Sequence, residues 1–155
     1  MYPWTHFLFP FFIAEVLVSL SYLNHWHALI AGVVGVLIDL DHPIEFVLVR
    51  KKFNFRKAWN NSVVSHKVDG RSFIHHWSGI LVVILICLVL LYFIPLLALI
   101  LALGYFSHIF LDYVHLNFLK RKIKFKEFGF AFRIPEYELL FDFVLLILVI
   151  FLLIF

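Results

Sequence analysis

Five apolar runs, separated by polar or basic segments, dominate the pattern of this chain. Most of them approach the ~20 residues that an α-helix needs to cross a ~30 Å hydrocarbon core, although the second is short for a span. Pro43 should end the second helix near Asp41, and Pro95 should separate the third helix from the fourth. The predicted helices are His6 to Leu23, His27 to Asp41, Trp77 to Ile94, Leu96 to Phe118 and Glu138 to Phe155.

Two segments between these runs have a different pattern. Residues 44–74 are basic and mixed, which predicts a short amphipathic helix or an interfacial loop. Residues 121–134, RKIKFKEFGFAFRI, alternate Lys with Ile or Phe ahead of Gly129, which predicts a β-hairpin or an extended strand at the interface. Because no internal repeat or linker interrupts the chain, we expect a single domain over residues 1–155.

The composition places these helices in a membrane. Hydrophobic residues make up 64% of the 155 residues and charged residues 15%, and the mean hydropathy is +1.00. A soluble core of this size could not hide so much apolar side chain. The prediction is an all-α integral membrane protein with about five transmembrane helices.

The positions of the positive charges predict its orientation. All thirteen Lys and Arg residues lie between Arg50 and Arg71 or between Lys120 and Arg133. Loops rich in Lys and Arg stay on the cytoplasmic side, so both basic loops should be cytoplasmic. They would also attract anionic lipid or a phosphate-bearing substrate, whereas the base-stacking aromatic platforms of a nucleic-acid site are not evident.

With this orientation, the polar residues at the helix ends converge on the cytoplasmic side. Imidazole and carboxylate ligands in this mixture suit zinc, manganese or iron, so we expect one shared metal site. Ionisable groups inside a lipid-length helix are costly unless they are paired, hydrated or bound to metal. The residues concerned are His6, Asp39, Asp41, His42, His75, His76, His108, Asp112, His115 and Glu138.

Each group also has a structural alternative. His108 and Asp112, one turn apart on one helix face, could form a buried ion pair that joins two helices. Asp39, Asp41 and His42 could be a solvated helix end, and Glu138 would favour a helix N-terminus on dipole grounds alone.

The remaining candidates lie at the margin of the expected site. His75 and His76 diverge by ~100° on a helix, so only one of them should bind metal. His115 lies nearer the interface, as a rim residue, and Asp142 follows Glu138 by four residues as a possible supporting carboxylate.

Five blocks of residues resemble a prokaryotic family of membrane-bound, metal-dependent hydrolases, the YdjM-like, LexA-binding, inner-membrane-associated hydrolases. The resemblance covers nearly the whole chain, with Ile38 in place of a family proline and Ile74 in place of a threonine. It favours His75 over His76, because His75 stands four residues after Arg71. The blocks are Thr5-His6, Ile38 to His42, Arg71 to Trp77, Gly104 to Asp112 and Glu138.

This resemblance implies hydrolysis of a phosphoester by metal-activated water, since the ligand types are similar to those of zinc-dependent phospholipase C. We expect a phospholipid or a lipid-linked phosphate as substrate and two divalent ions, zinc above manganese or iron. Asp41 or Glu138 would transfer the proton, and Arg71 would lie at the rim. The alternative is a membrane protein that binds metal without turnover, as a divalent-cation carrier or sensor.

Overall fold

Five α-helices form most of the part of the chain that the structure, a computed structural model, describes. That part comprises residues 2–40, 44, 54, 73–117, 122–127 and 130–154, and its side chains are described except at 115–117, 122–127 and 130–135. The helices are α1 (Pro3–Ser19), α2 (His25–Leu37), α3 (Trp77–Phe93), α4 (Pro95–Asn117) and α5 (Glu136–Ile154). Two 3-10 helices, Ile38–Leu40 and Phe73–His75, follow α2 and precede α3. Strands β1 (Lys122–Glu127) and β2 (Phe130–Pro135) pair antiparallel between α4 and α5.

Helices α1 and α2 form an antiparallel hairpin with a tight turn. Ser21 lies in the left-handed region, at a φ of 64°, and the Tyr22 N–H donates to the Leu17 carbonyl at 2.9 Å. Asn24 caps α2, because its side chain accepts from the His27 N–H at 3.0 Å while His27 Nδ1 accepts from the Asn24 N–H at 3.3 Å. The chain therefore reverses over residues 20–24.

A buried carboxylate lies near this turn. The Glu15 side chain is 1% exposed, and His25 Nδ1 lies 2.9 Å and 3.2 Å from its two oxygens. The sequence alone does not indicate a partner for Glu15, because the contact between Glu15 and His25 depends on how the α1–α2 hairpin closes. Nine residues along a helix place Glu15 ~13 Å from His6, towards the opposite end of α1.

Small residues on one face of α2 bring the helices close together. Their spacing of three and four residues puts them in one stripe, which allows backbones to approach. A Cβ on Gly35 would overlap the His6 carbonyl oxygen of α1, and a Cβ on Gly104 of α4 would meet the Ala31 carbonyl oxygen at 2.9 Å. The buried members of the stripe are Ala28, Ala31, Gly32 and Gly35.

The outer faces of α3 and α5 are apolar and exposed. Contiguous apolar surface of this extent suits lipid rather than water. In the described part of the chain, α4 and α5 contain segments long and apolar enough to cross a membrane, whereas α1, α2 and α3 are shorter apolar helices of 17, 13 and 17 residues. Exposed side chains of these two faces include Leu81, Leu85, Leu88, Tyr92, Leu140, Phe143, Ile147 and Phe151.

The five predicted helices correspond to α1 to α5, with ends shifted by up to four residues. The clearest difference is at α2, which ends at Leu37 and continues as a 3-10 turn that carries Asp39. The hairpin prediction for residues 121–134 is confirmed by β1 and β2. Except for single residues and its last two positions, the basic segment 44–74 lies outside the described residues, as do Asp41, His42 and Arg71.

Candidate metal centre

His108 and Asp112 form one wall of the candidate centre, on α4. They stand one helical turn apart, with His108 Nε2 3.5 Å from Asp112 Oδ2. The His108 side chain is fully buried, whereas that of Asp112 is 31% exposed. The carboxylate therefore lies where the buried imidazole meets the surface.

The other ring nitrogen of His108 is held by backbone. Nδ1 lies 2.8 Å from the carbonyl oxygen of Gly35. A carbonyl can only accept, so Nδ1 carries the proton and donates it, and the lone pair of neutral His108 is on Nε2. A backbone partner of this kind is the usual way in which proteins orient a metal-binding histidine.

His75 meets His108 from the 3-10 helix that precedes α3. Its Nε2 atom lies 3.0 Å from His108 Nε2 and 3.5 Å from Asp112 Oδ2. The Tyr105 hydroxyl of α4 donates to the carbonyl of Ile74 at 2.6 Å, which holds the adjacent backbone. Because the His108 nitrogen presents a lone pair, the short contact requires a proton on His75 Nε2 or a cation shared by both nitrogens.

His6 enters the cluster from the first turns of α1. It is fully buried, its Nε2 atom lies 3.3 Å from Asp112 Oδ1 and 3.9 Å from Asp39 Oδ2, and its ring stacks on that of His108. Neither ring nitrogen of His6 makes a hydrogen bond to any residue that the structure describes. Its Nε2 atom thus faces two carboxylates without an aligned hydrogen bond, a geometry that suits an ion or a water molecule between them.

Asp39 completes the cluster from the 3-10 turn after α2. Its Oδ1 atom lies 3.6 Å from His108 Nε2, and its side chain is 22% exposed. The 3-10 turn tightens the backbone just after the α-helix, so Asp39 does not continue the α-helical positions of α2.

The donor set and its spacing fit a divalent metal ion. Two groups, His6 with His108 and Asp112, and Asp39 with His75 and His108, each offer ligand atoms within 4.8 Å of one another. A tetrahedral ion with bonds of about 2.0 Å separates its ligands by about 3.3 Å, and the measured separations range from 3.0 to 3.9 Å. Nitrogen and oxygen ligands in this combination suit zinc, manganese or iron.

A second polar cluster lies beside this centre. Glu138 Oε1 accepts from the Tyr2 N–H at 2.6 Å and from the Thr5 hydroxyl at 2.9 Å. Thr5 Oγ1 also lies 3.0 Å from Asp142 Oδ2, and all three side chains are buried. This cluster joins the start of α1, next to His6, to the first two turns of α5.

The structure thus brings together five of the predicted ligands: His6, Asp39, His75, His108 and Asp112. Glu138 and Asp142 lie in the neighbouring cluster around Thr5, and Glu138 belongs to neither of the two ligand groups found among the described residues. His76 is exposed and precedes α3 as its N-cap residue. The predictions for Asp41, His42 and Arg71, and for the His115 side chain, concern positions outside the described part.

Three contributions escaped sequence reasoning: the Gly35 carbonyl, the Tyr105 hydroxyl and the bridging hydroxyl of Thr5. The stripe of small residues on α2 is a sequence signal that could have indicated close packing at Gly35. Thr5 and Tyr105 fall inside the resemblance blocks, but their partners lie 133 and 31 residues away along the chain. Pairings of that kind depend on the tertiary fold.

Comparison with known families assigns the chain. The sequence profile of the YdjM inner membrane protein family matches residues 1–117. The chain belongs to this family. The matched part of this YdjM-family protein contains all five clustered side chains, whereas Glu138 and Asp142 follow it. No curated protein and no solved structure matches the chain.

Proposed function

We propose that this YdjM-family protein is a metal-dependent hydrolase of the inner membrane. The substrate would be a phosphoester of a phospholipid or of a lipid-linked phosphate. The observation that carries the proposal is the convergence of three imidazoles and two carboxylates from four separate segments, with Nε2 and Oδ atoms 3.0 to 3.9 Å apart. Zinc is the first candidate for the ion, with manganese and iron as alternatives.

The residues of the centre would have distinct roles. His6, His75 and His108 would supply neutral nitrogen ligands, and Asp39 and Asp112 would supply negative charge. A divalent ion held by these residues would supply activation of a water molecule near neutral pH and neutralisation of charge on a phosphoryl group. Since Asp39 and Asp112 are the partly exposed members, they would lie on the side from which a substrate approaches.

We propose that Asp41 or Glu138 transfers the proton during hydrolysis. The Tyr2 amide and the Thr5 hydroxyl hold one carboxylate oxygen of Glu138, while the other oxygen, Oε2, has no hydrogen-bond partner among the described residues. Asp41 follows Asp39 by two positions in the sequence.

The position of the cluster supports a site at one membrane face. His6 lies in the first turns of α1, Asp39 just after α2, and His75 just before α3. Glu15 and His25 lie at the other end of the α1–α2 hairpin. We therefore propose that all five helices cross the membrane, with both basic segments and the metal centre on the cytoplasmic side.

The arrangement favours hydrolysis over the alternative of metal binding without turnover. A divalent-cation carrier needs ligands near the midplane and along the depth of the bundle. The five ligand candidates instead gather at one end of the α1–α2 hairpin, which in the proposed topology would be the depth of lipid headgroups. In the proposed topology the centre and both basic segments lie on the same side of the membrane, which would suit a phosphate ester.

Phosphate release from a panel of phospholipids and isoprenoid phosphates tests the proposal. The purified, metal-loaded protein should hydrolyse at least one of them, and Asp112→Ala should lower the rate at least 100-fold. Glu136→Gln changes an exposed carboxylate on α5 and should keep the wild-type rate. Equal rates for wild type and Asp112→Ala would contradict the proposal.

A further inference from the structure

We infer that the cluster is built for two ions, with Asp39 and Asp112 each bridging a position at His6 and a position between His75 and His108. This inference rests on the metal centre of the proposed function and adds how its ligands are divided.

The two oxygens of Asp112 face different histidines. Oδ1 lies 3.3 Å from His6 Nε2, whereas Oδ2 lies 3.5 Å from His75 Nε2 and 3.5 Å from His108 Nε2. A carboxylate that places its oxygens on two different sets of nitrogens has the geometry of a bridging ligand.

Asp39 repeats the same division from the opposite side. Its Oδ2 atom lies 3.9 Å from His6 Nε2, and its Oδ1 atom lies 3.6 Å from His108 Nε2. The four carboxylate oxygens are therefore shared equally between His6 and the His75–His108 pair. Two independent segments, the turn after α2 and helix α4, produce this pattern.

The stacking of His6 on His108 disfavours a single ion for both rings. A metal binds an imidazole in the plane of the ring, about 2.0 Å from the nitrogen. The two ring centroids are 3.9 Å apart and the planes are inclined by 24°. Stacked planes so nearly parallel do not meet at that distance, so each ring would direct its lone pair to a different ion.

The first position is complete. His75 Nε2, His108 Nε2, Asp39 Oδ1 and Asp112 Oδ2 would supply four ligands. His108 Nε2 lies 3.0 to 3.6 Å from the other three atoms, and His75 Nε2 lies 3.5 Å from Asp112 Oδ2. These values surround the ~3.3 Å expected for a tetrahedral ion. Four protein ligands in this geometry are typical of a closed position.

The second position has fewer ligand atoms among the described residues. Within the described part of the chain it has three ligand atoms: His6 Nε2, Asp39 Oδ2 and Asp112 Oδ1. Three protein ligands leave a place for water or substrate, as in catalytic metal sites. Two ions bridged in this way would lie about 3.5–4 Å apart, the spacing of two-metal phosphoesterases. Buried His6 Nε2 faces both carboxylates without an aligned hydrogen bond, which agrees with an ion at this position.

Metal content and electron paramagnetic resonance after loading with Mn²⁺ test this division without any substrate. Wild type should bind two Mn²⁺ per chain and give a spin-coupled spectrum. His6→Ala should bind one and give the six-line spectrum of an isolated ion. His76→Ala, which changes the exposed neighbour of His75, should keep two coupled ions.

One Mn²⁺ per wild-type chain would overturn the inference, and so would two coupled ions in His6→Ala. The Mn²⁺ content and spectrum of the wild-type protein test the inference even if His6→Ala does not fold. Two coupled ions without phosphate release would leave this inference intact and contradict the proposed hydrolase. Phosphate release by a wild-type protein that binds one ion would support the proposed hydrolase and overturn the two-ion inference.

Discussion

Gly35 positions two candidate ligands at once. Its carbonyl accepts the Nδ1 proton of His108, and its lack of a side chain lets the backbone of α1 at His6 lie against α2. Because any Cβ at this position would overlap the His6 carbonyl oxygen, the spacing between the two histidines depends on this glycine.

Gly35→Ala should therefore weaken metal binding. Pushing α1 away from α2 moves His6 from His108, and loss of an orienting contact typically lowers metal affinity about 10- to 100-fold. Overpacking should also cost about 1–3 kcal/mol of stability. Titration with Zn²⁺ in detergent measures the first effect and thermal unfolding the second.

Gly32→Ala provides the matched control. A Cβ there would meet the ring of Phe7 at 2.8 Å, a side chain that can shift, and its three nearest atoms all belong to that ring. Its metal affinity should stay within threefold of wild type. A Gly35→Ala protein with wild-type affinity would show that the close approach does not position the centre.

For single residues, the sequence identifies the candidate ligands better than the groups that orient them. His108 and Asp112 are conspicuous because ionisable side chains interrupt an apolar run, and His75 is favoured by its spacing from Arg71. The support of His108 is a backbone carbonyl, which every residue has, so no residue type indicates it. Likewise, the sequence does not show that Thr5 contacts Glu138 and Asp142.

Among the elements, α5 depends on a polar contact for its position beside α1. The first two turns of α5 carry the buried carboxyl groups of Glu138 and Asp142, and the Thr5 hydroxyl lies within 3.0 Å of both. The Tyr2 amide adds a third contact at 2.6 Å. Apolar packing alone would let α5 rotate or slide, because every residue of the helix after Asp142 is apolar.

Thr5→Val should release this contact with little change in shape. It would remove the hydroxyl contact from the buried carboxyl groups of Glu138 and Asp142, although Glu138 keeps the Tyr2 amide, and this loss should cost about 1–3 kcal/mol. Thr5→Ser keeps the hydroxyl and should stay within about 1 kcal/mol of wild type. Denaturant unfolding in detergent compares the three proteins, and equal stability of Thr5→Val and wild type would contradict this role.

Element boundaries followed from the sequence where the pattern was regular. Pro95 separates α3 from α4 as predicted, and the Lys alternation before Gly129 predicts the β1–β2 hairpin. The end of α2 was less predictable. Pro43 limits the helix, but the last turn of a helix is often 3-10, and the residue at which the change occurs, here Ile38, does not follow from the hydrophobic pattern.

For the whole molecule, the proposed topology separates the two polar ends of the bundle. The metal centre lies at one end, while Glu15 and His25 lie at the α1–α2 turn. Apolar exposed faces on α3 and α5 lie between the ends, which agrees with membership of an inner membrane protein family. At 13 residues, about 20 Å, α2 requires local thinning of the bilayer to cross it.

Cysteine labelling tests that topology. In a Cys87→Ser background, Tyr22→Cys at the α1–α2 turn should react with an impermeant maleimide added outside intact cells. Lys124→Cys in the β1–β2 hairpin should react only in inverted vesicles. Labelling of Lys124→Cys from outside would contradict the cytoplasmic placement of the centre, and the unlabelled background protein is the control.

The central claim is that these histidines and aspartates hold a divalent metal, and the equilibrium affinity for Zn²⁺ tests it most directly. Asp112→Asn keeps the size of the side chain but removes the charge that faces His6, His75 and His108. We predict at least a 100-fold loss of affinity relative to wild type, with Glu136→Gln unchanged. Wild-type affinity in Asp112→Asn would contradict the claim.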